Sequence, residues 1–204
     1  RALHYLSLGF STIPLSPPTH DCTSPGKIPH MHKWSRYCLA PPTEAEARQL
    51  FAHHQGNIGL ALRPGQLVLD IDPRSGGLEF LHLLQQKHGT LPNTPLALTG
   101  GGGQHWYFSV DPTLKLPAGG TLTDLGYPGI EWKTAGGQVV APPSMHVSGR
   151  AYSWEMGLSP SDLPIASCPA WLLDLILGLQ SGARPQARGQ GDQGRVHAAQ
   201  YTWT

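Results

Sequence analysis

Residues 67–74 read Leu-Val-Leu-Asp-Ile-Asp-Pro-Arg. A run this rich in Leu, Val and Ile predicts a buried strand, ending in the Pro-Arg-Ser-Gly-Gly turn that follows. Side chains alternate along a strand, so Asp70 and Asp72 point the same way, roughly 6–7 Å apart. Two carboxylates on one face of an otherwise apolar strand repel each other and are costly to desolvate. A divalent cation is the simplest relief. Hard cations such as Mg²⁺ choose oxygen ligands and bring substrate phosphates with them. The stretch therefore points to metal-assisted phosphoryl chemistry. In the competing reading Asp72 caps the following turn and Asp70 pairs with a nearby Arg.

The rest of the chain predicts a mixed α+β fold of hairpins and a few helices. Residues 2–8 read as a helix end closed by Gly9, and 14–42 as a loop with seven prolines. Thr43-Glu44-Ala45-Glu46 is a capping-box pattern opening a helix to about Phe51. Strands are expected at 57–62 and 66–72, joined by Arg63-Pro64-Gly65, and a helix from Gly76-Gly77 to about His88. Further strands are expected at 95–99, 104–110 and 152–155, with 111–128 a loop. Residues 129–134 and 138–141 read as a hairpin around Ala135-Gly136-Gly137. An apolar helix covers 169–180, and 181–204 is a Gly/Gln/Arg-rich linker or tail. The expected division is a catalytic domain at 1–167, a C-terminal helix at 168–180 and the tail.

With 204 residues, one full core is expected. A net charge of +1 gives no global basic field, so any nucleic-acid surface must be local. No run approaches the ~18 apolar residues that span a bilayer. No secretory signal is visible. Opening on Arg1, the sequence is expected to be a fragment or a trimmed chain. Three cysteines, an odd number, argue against a disulfide framework and fit a reducing, cytoplasmic setting.

Three further constellations can carry chemistry. In Gly129-Ile130-Glu131-Trp132-Lys133, Ile130 and Trp132 face one side while Glu131 and Lys133 share the other. If this strand lies beside 67–72, Glu131 completes a three-carboxylate site for two metal ions; otherwise Glu131 and Lys133 are an exposed polar edge. In Thr99-Gly-Gly-Gly-Gly-Gln104-His105, the amides of Gly101, Gly102 and Gly103 can form a phosphate nest, with His105 donating to a phosphate oxygen; the alternative is a plain hairpin loop. Cys22, His30, His32 and Cys38 form a candidate zinc set, although their spacing matches no standard finger. Lys27, in Gly26-Lys27-Ile28-Pro29, can bring a cation to a phosphate.

Taken in order, these pieces resemble the N-terminal bifunctional primase–polymerase (prim-pol) domain of plasmids, phages and mobile elements, within the archaeo-eukaryotic primase superfamily. The resemblance spans about residues 2–155. Its carriers are Gly9-Phe10 with Ile13-Pro14, Gly26-Lys27-x-Pro29 with Trp34, Asn57-Ile58-Gly59, and Leu69-Asp70-Ile71-Asp72 with Gly76-Gly77. They continue with the glycine loop and His105, Gly129–Lys133, and Gly136-Gly137-Gln138-Val139-Val140-Ala141-Pro142-Pro143-Ser144. The resemblance implies an RRM-like catalytic sheet packed on an N-terminal helical and loop unit, with the active site between. It implies Asp70, Asp72 and Glu131 as ligands of two Mg²⁺ or Mn²⁺ ions, and His105 as the contact to the incoming triphosphate. Glu131 stands where the family often has Asp, and Lys133 where many members have Arg. Lys27 and Ser144 are weaker candidates for nucleotide contacts. Arg74, Arg63, Trp34 and Trp132 are candidates for template contacts. The implied partners are a single-stranded DNA template, a primer strand, nucleoside triphosphates and a following helical primase or helicase domain. No membrane is implied.

Two other readings compete. His30-Met31-His32 matches the metal motif of replication-initiator nucleases, but Pro29 precedes it in a loop where that motif needs a strand. A catalytically inactive nucleic-acid-binding module would keep the sheet without the acidic positions.

Overall fold

The structure, a computed structural model, describes residues 1–180; the expected tail at 181–204 lies outside them. The N-terminal half contains α1 (Ala2–Ser7), β1 (Ser11–Leu15), α2 (Glu44–Phe51), β2 (Asn57–Ala61), β3 (Gln66–Ile71) and α3 (Gly77–His88). Then come β4 (Leu96–Leu98), β5 (Gln104–Ser109), β6 (Gly119–Thr121), β7 (Ile130–Lys133) and β8 (Gln138–Ala141). The short strands β9 (Ser153–Trp154) and β10 (Ala166–Ser167) precede α4 (Ala170–Gln180). The expected capping box of α2 is formed: Glu46 N–H donates to Thr43 Oγ1 at 3.2 Å, and Thr43 N–H to Glu46 Oε2 at 2.8 Å.

The strands make two sheets, in order β1-β2-β8 and β6-β7-β3-β5-β4-β9, with β10 running parallel to β5. Within the larger sheet, β7-β3-β5-β4 is antiparallel throughout, and α3 connects β3 to β4. This is the strand order of an RRM-like sheet, so the α+β expectation holds.

Both faces of β3 are covered, which is why its sequence is an unbroken apolar run. Leu67, Leu69 and Ile71 meet Phe108, Ile130 and Trp132 under Leu81 and Leu84 of α3 and Leu172, Leu175 and Ile176 of α4. Val68 and Tyr107 face the other way, against Leu60, Val139 and Ala141 of the small sheet, with Tyr5 and Phe10.

The expected hairpin around Ala135-Gly136-Gly137 does not form, and the two strands joined at Arg63-Pro64-Gly65 do not pair. The strands flanking Arg63-Pro64-Gly65 enter different sheets, as do β7 and β8 on either side of Ala135-Gly136-Gly137. In both places the chain crosses between layers, because Leu60, Val139 and Ala141 bury against Val68 and Tyr107 rather than pairing beside them. The loop expected at 14–42 contains the last two residues of β1 and a short 3₁₀ turn (Trp34–Cys38), and the loop expected at 111–128 contains β6. Among the described residues no helix is long and apolar enough to cross a membrane.

Candidate active site

The registers of β3, β5 and β7 place Asp70 directly opposite His105 on one side and Glu131 on the other. All three therefore share the face turned toward the small sheet. Lys133, two residues beyond Glu131, extends its ammonium back between the acids. Its Nζ is 3.3 Å from Asp70 Oδ2 and 3.3 Å from Glu131 Oε2. Burial works against the Lys133 charge, but Asp70 and Glu131 outweigh it and raise the pKa.

Asp72 sits just past the end of β3 and caps the next turn, accepting from Arg74 N–H at 2.9 Å. Its carboxylate also pairs with the Arg74 guanidinium at 2.6 Å. Arg74 holds the Asp72 carboxyl below its usual range, burial opposing and Lys27 assisting. The Asp72 backbone is clasped on both sides: its N–H donates to Gly129 O at 2.7 Å, and its carbonyl accepts from Gly77 N–H at 3.0 Å. A Cβ on Gly77 would lie 2.4 Å from the Gly129 carbonyl oxygen, so this approach requires glycine. The capping reading of Asp72 is thus realised, and the residue also lines the cleft described below.

His105 is 5% exposed, with Nε2 3.6 Å from Asp70 Oδ1 and Nδ1 buried without a hydrogen-bond partner. Burial lowers its pKa, partly offset by Asp70 and the Val140 backbone and reinforced by Lys133 and Lys27, so the ring is held neutral. Tyr152 closes the same region; burial, with help from Asp70, pushes its phenol up to about 12.

These groups line a cleft of about 380 Å³ together with Lys27, Thr99, Gly101, Gly103, Gln138, His146, Ser148 and Arg150. The volume falls within the ~300–1,000 Å³ of ordinary ligand pockets. Lys27 is brought in by two ties. Gln138 Nε2 donates to the Lys27 carbonyl at 2.8 Å, and the buried Asn57 donates to Gly26 O at 2.9 Å and Met145 O at 2.7 Å.

The carboxylates of Asp70, Asp72 and Glu131 are oxygen donors of the kind a hard divalent cation takes. The Lys133 ammonium already occupies the place of a positive charge between Asp70 and Glu131, and the Arg74 guanidinium does the same for Asp72. Among the described residues no three acidic, His or Cys side chains converge into a finished ligand shell.

Several expected residues fall elsewhere. Ser144 is buried, and its hydroxyl accepts from Ile58 N–H at 2.9 Å, so it ties β2 to the loop after β8 rather than contacting a nucleotide. Gly102 and Gly103 do not offer a nest. Their amides donate back to Thr99, to its carbonyl and hydroxyl respectively, each at 2.9 Å, because the turn closes on itself. Arg63 reaches Gly9 O at 2.6 Å, Trp34 packs against the outer side of the small sheet, and Trp132 is buried under the helices. None of Arg63, Trp34 and Trp132 lines the cleft.

The zinc set does not assemble. Cys38 is buried against the Gly137 carbonyl, whereas His30 and His32 are exposed on a loop. That loop position also removes His30-Met31-His32 from the strand setting its nuclease reading needs. Thr99 and Gln138 stand inside motifs of the sequence without a role assigned to them, and sequence reasoning missed His146, Ser148, Arg150 and Tyr152. The alternation His146-x-Ser148-x-Arg150 after Pro142-Pro143 is the one sequence signal that points to the loop at 146–150.

A family model for the N-terminal domain of bifunctional DNA primase/polymerases matches residues 2–171. No curated protein matches the chain. The match includes the three acidic positions, His105 and both sheets that enclose them, and the chain belongs to the bifunctional DNA primase/polymerase N-terminal domain family.

Proposed function

We propose that this chain is a template-directed nucleotidyltransferase. It adds nucleotides from nucleoside triphosphates to a 3′-hydroxyl on a single-stranded DNA template, as primase, DNA polymerase or both. The observation that supports this reading is the alignment of His105, Asp70 and Glu131 across three adjacent strands, facing one cleft that Asp72 also lines. In the reaction the hydroxyl oxygen bonds to the α-phosphorus, the bond to the bridging oxygen of the β-phosphate breaks, and pyrophosphate leaves.

Asp70, Asp72 and Glu131 would hold two Mg²⁺ or Mn²⁺ ions, which lower the hydroxyl's pKa and neutralise phosphate charge. His105 is kept neutral by burial, so it can donate one hydrogen bond to a phosphate oxygen without carrying a charge. Lys133 and Lys27 supply compact positive charge on the phosphate side. Val139 and Val140 of the small sheet give the cleft an apolar part of its lining. Positioning and charge neutralisation carry most of the catalysis in phosphoryl transfer. Replication of a plasmid, phage or other mobile element is the proposed setting. A cytoplasmic location accords with the free thiols of Cys22, Cys38 and Cys168.

The test is extension of a labelled primer, and synthesis without one, on single-stranded DNA with dNTPs or NTPs in Mg²⁺ or Mn²⁺. Asp70→Ala and Asp72→Ala should each abolish incorporation while thermal melting stays cooperative. Incorporation persisting in either variant would remove its carboxylate from the site.

A further inference from the structure

The cleft is also lined by the loop at 146–150, through His146, Ser148 and Arg150. Arg150 Nε donates to the Gly100 carbonyl at 2.9 Å, and Ser148 Oγ donates to the same oxygen at 2.8 Å. The His146 amide donates to the Arg150 carbonyl at 2.9 Å, closing the loop on itself. Gly100 is glycine because of this docking. A Cβ there would lie 2.3 Å from His146 Cβ and 2.4 Å from the Arg150 carbonyl oxygen. The glycine run therefore receives the 146–150 loop.

Docking through Nε fixes the guanidinium plane and leaves its outer edge available. A Cβ placed on Gly102 would lie 3.9 Å from Arg150 Nη2, so that edge lies beside the glycine turn. The described acidic side chains form ion pairs with Arg36, Arg48, Arg74, His105 and Lys133, and none pairs with Arg150. Lys27, Arg74 and Arg150 line the same cleft as His146. A preset guanidinium beside other cations and a hydrogen-bonding imidazole suits a compact polyanion, because a fixed fork matches phosphate oxygens.

We infer that Arg150 grips the β- and γ-phosphates of the incoming nucleoside triphosphate, with the 146–150 loop docked on Gly100 as its support. This rests on the nucleotidyltransferase reading and adds a residue to it. A nucleotide fits better than a template backbone. Lys27, Arg74 and Arg150 line one bounded cleft of about 380 Å³, which Asp70, Asp72 and Glu131 also line.

The test is direct titration of dATP, dADP and dAMP in Ca²⁺, together with titration of single-stranded DNA. Arg150→Ala should weaken dATP binding at least tenfold, weaken dADP binding by less, and change dAMP and single-stranded DNA binding less than twofold. Arg150→Lys should recover part of the dATP loss. Ser148→Ala, which removes one hydrogen bond to Gly100 and no charge, should cost threefold or less. Equal losses for dAMP and dATP, a loss confined to single-stranded DNA, or an equal effect of Ser148→Ala would each overturn the assignment. Wild-type protein binding no nucleotide would overturn the nucleotidyltransferase reading as well, which separates the two failures.

Discussion

Lys133→Met should make the protein bind a divalent ion more tightly while making it a poorer enzyme. The ammonium stands 3.3 Å from a carboxylate oxygen of both Asp70 and Glu131. At an effective dielectric of about 20, each contact is worth roughly 5 kcal/mol of Coulomb attraction. The Glu131 side chain is 54% exposed, so solvent reduces its share to about 1 kcal/mol or less. Asp70 and Lys133 are 25% and 29% exposed, and desolvation offsets most of their attraction, leaving about 1–2 kcal/mol. Met keeps the apolar stem and removes the charge, freeing both carboxylates. About 2 kcal/mol is then no longer lost when an ion displaces the ammonium. At 1.4 kcal/mol per decade this is roughly thirtyfold tighter binding. The assay is a Mn²⁺ titration followed by electron paramagnetic resonance without nucleotide, with Asp70→Asn as the control that locates the ion. Primer extension by Lys133→Met should fall, since a phosphate-side charge is gone. Mn²⁺ binding unchanged or weakened in Lys133→Met would refute the view that the ammonium holds a cation's place.

Other outcomes follow from individual contacts. Gly77→Ala should lower stability by several kcal/mol and shift Asp72, because a Cβ would lie 2.4 Å from the Gly129 carbonyl oxygen; chemical denaturation and residual primer extension read both effects. Ser144→Ala should cost about 1–3 kcal/mol in denaturant through the lost Ile58 contact, with dATP affinity unchanged within twofold. Thr43→Ala should cost about 1 kcal/mol of stability and leave catalysis intact. Burial lowers the pKa of His105, so the unfolded chain binds a proton that the folded chain resists. Stability should therefore fall as pH drops below about 6.5, and melting curves of His105→Gln should show a shallower fall.

The helices and most strands were legible because their signals are local. Thr43 with Glu46 caps α2 by contacts three residues apart, and β3 announces itself by an apolar run covered on both faces. The sheet assignments were not legible. Arg63-Pro64-Gly65 and Ala135-Gly136-Gly137 are good hairpin turns by composition, yet each hands the chain to another layer. The deciding force is long-range burial of Leu60, Val139 and Ala141 against Val68 and Tyr107, which no window of neighbouring residues contains.

The same distinction explains the site. Asp70, Asp72 and Glu131 stood out because a charge amid apolar neighbours is locally anomalous, and the register brought them to one cleft. Ser144 and Asn57 also sit in telling motifs, but their chemistry is turned inward. Asn57 accepts from the Met145 amide at 2.9 Å and donates to Gly26 and Met145, fixing the Lys27 loop beside the loop that carries Arg150. Arg150 itself shows no local anomaly, being one exposed arginine after a glycine. Its place follows only from Gly100, about fifty residues earlier, whose missing side chain leaves room for the loop. A glycine run near a phosphate site thus has two readings, amides offered to the ligand or space offered to another segment. Here Gly102 and Gly103 donate back to Thr99, which leaves the first reading unmet there, while Gly100 receives Ser148 and Arg150, so the second reading governs Gly100.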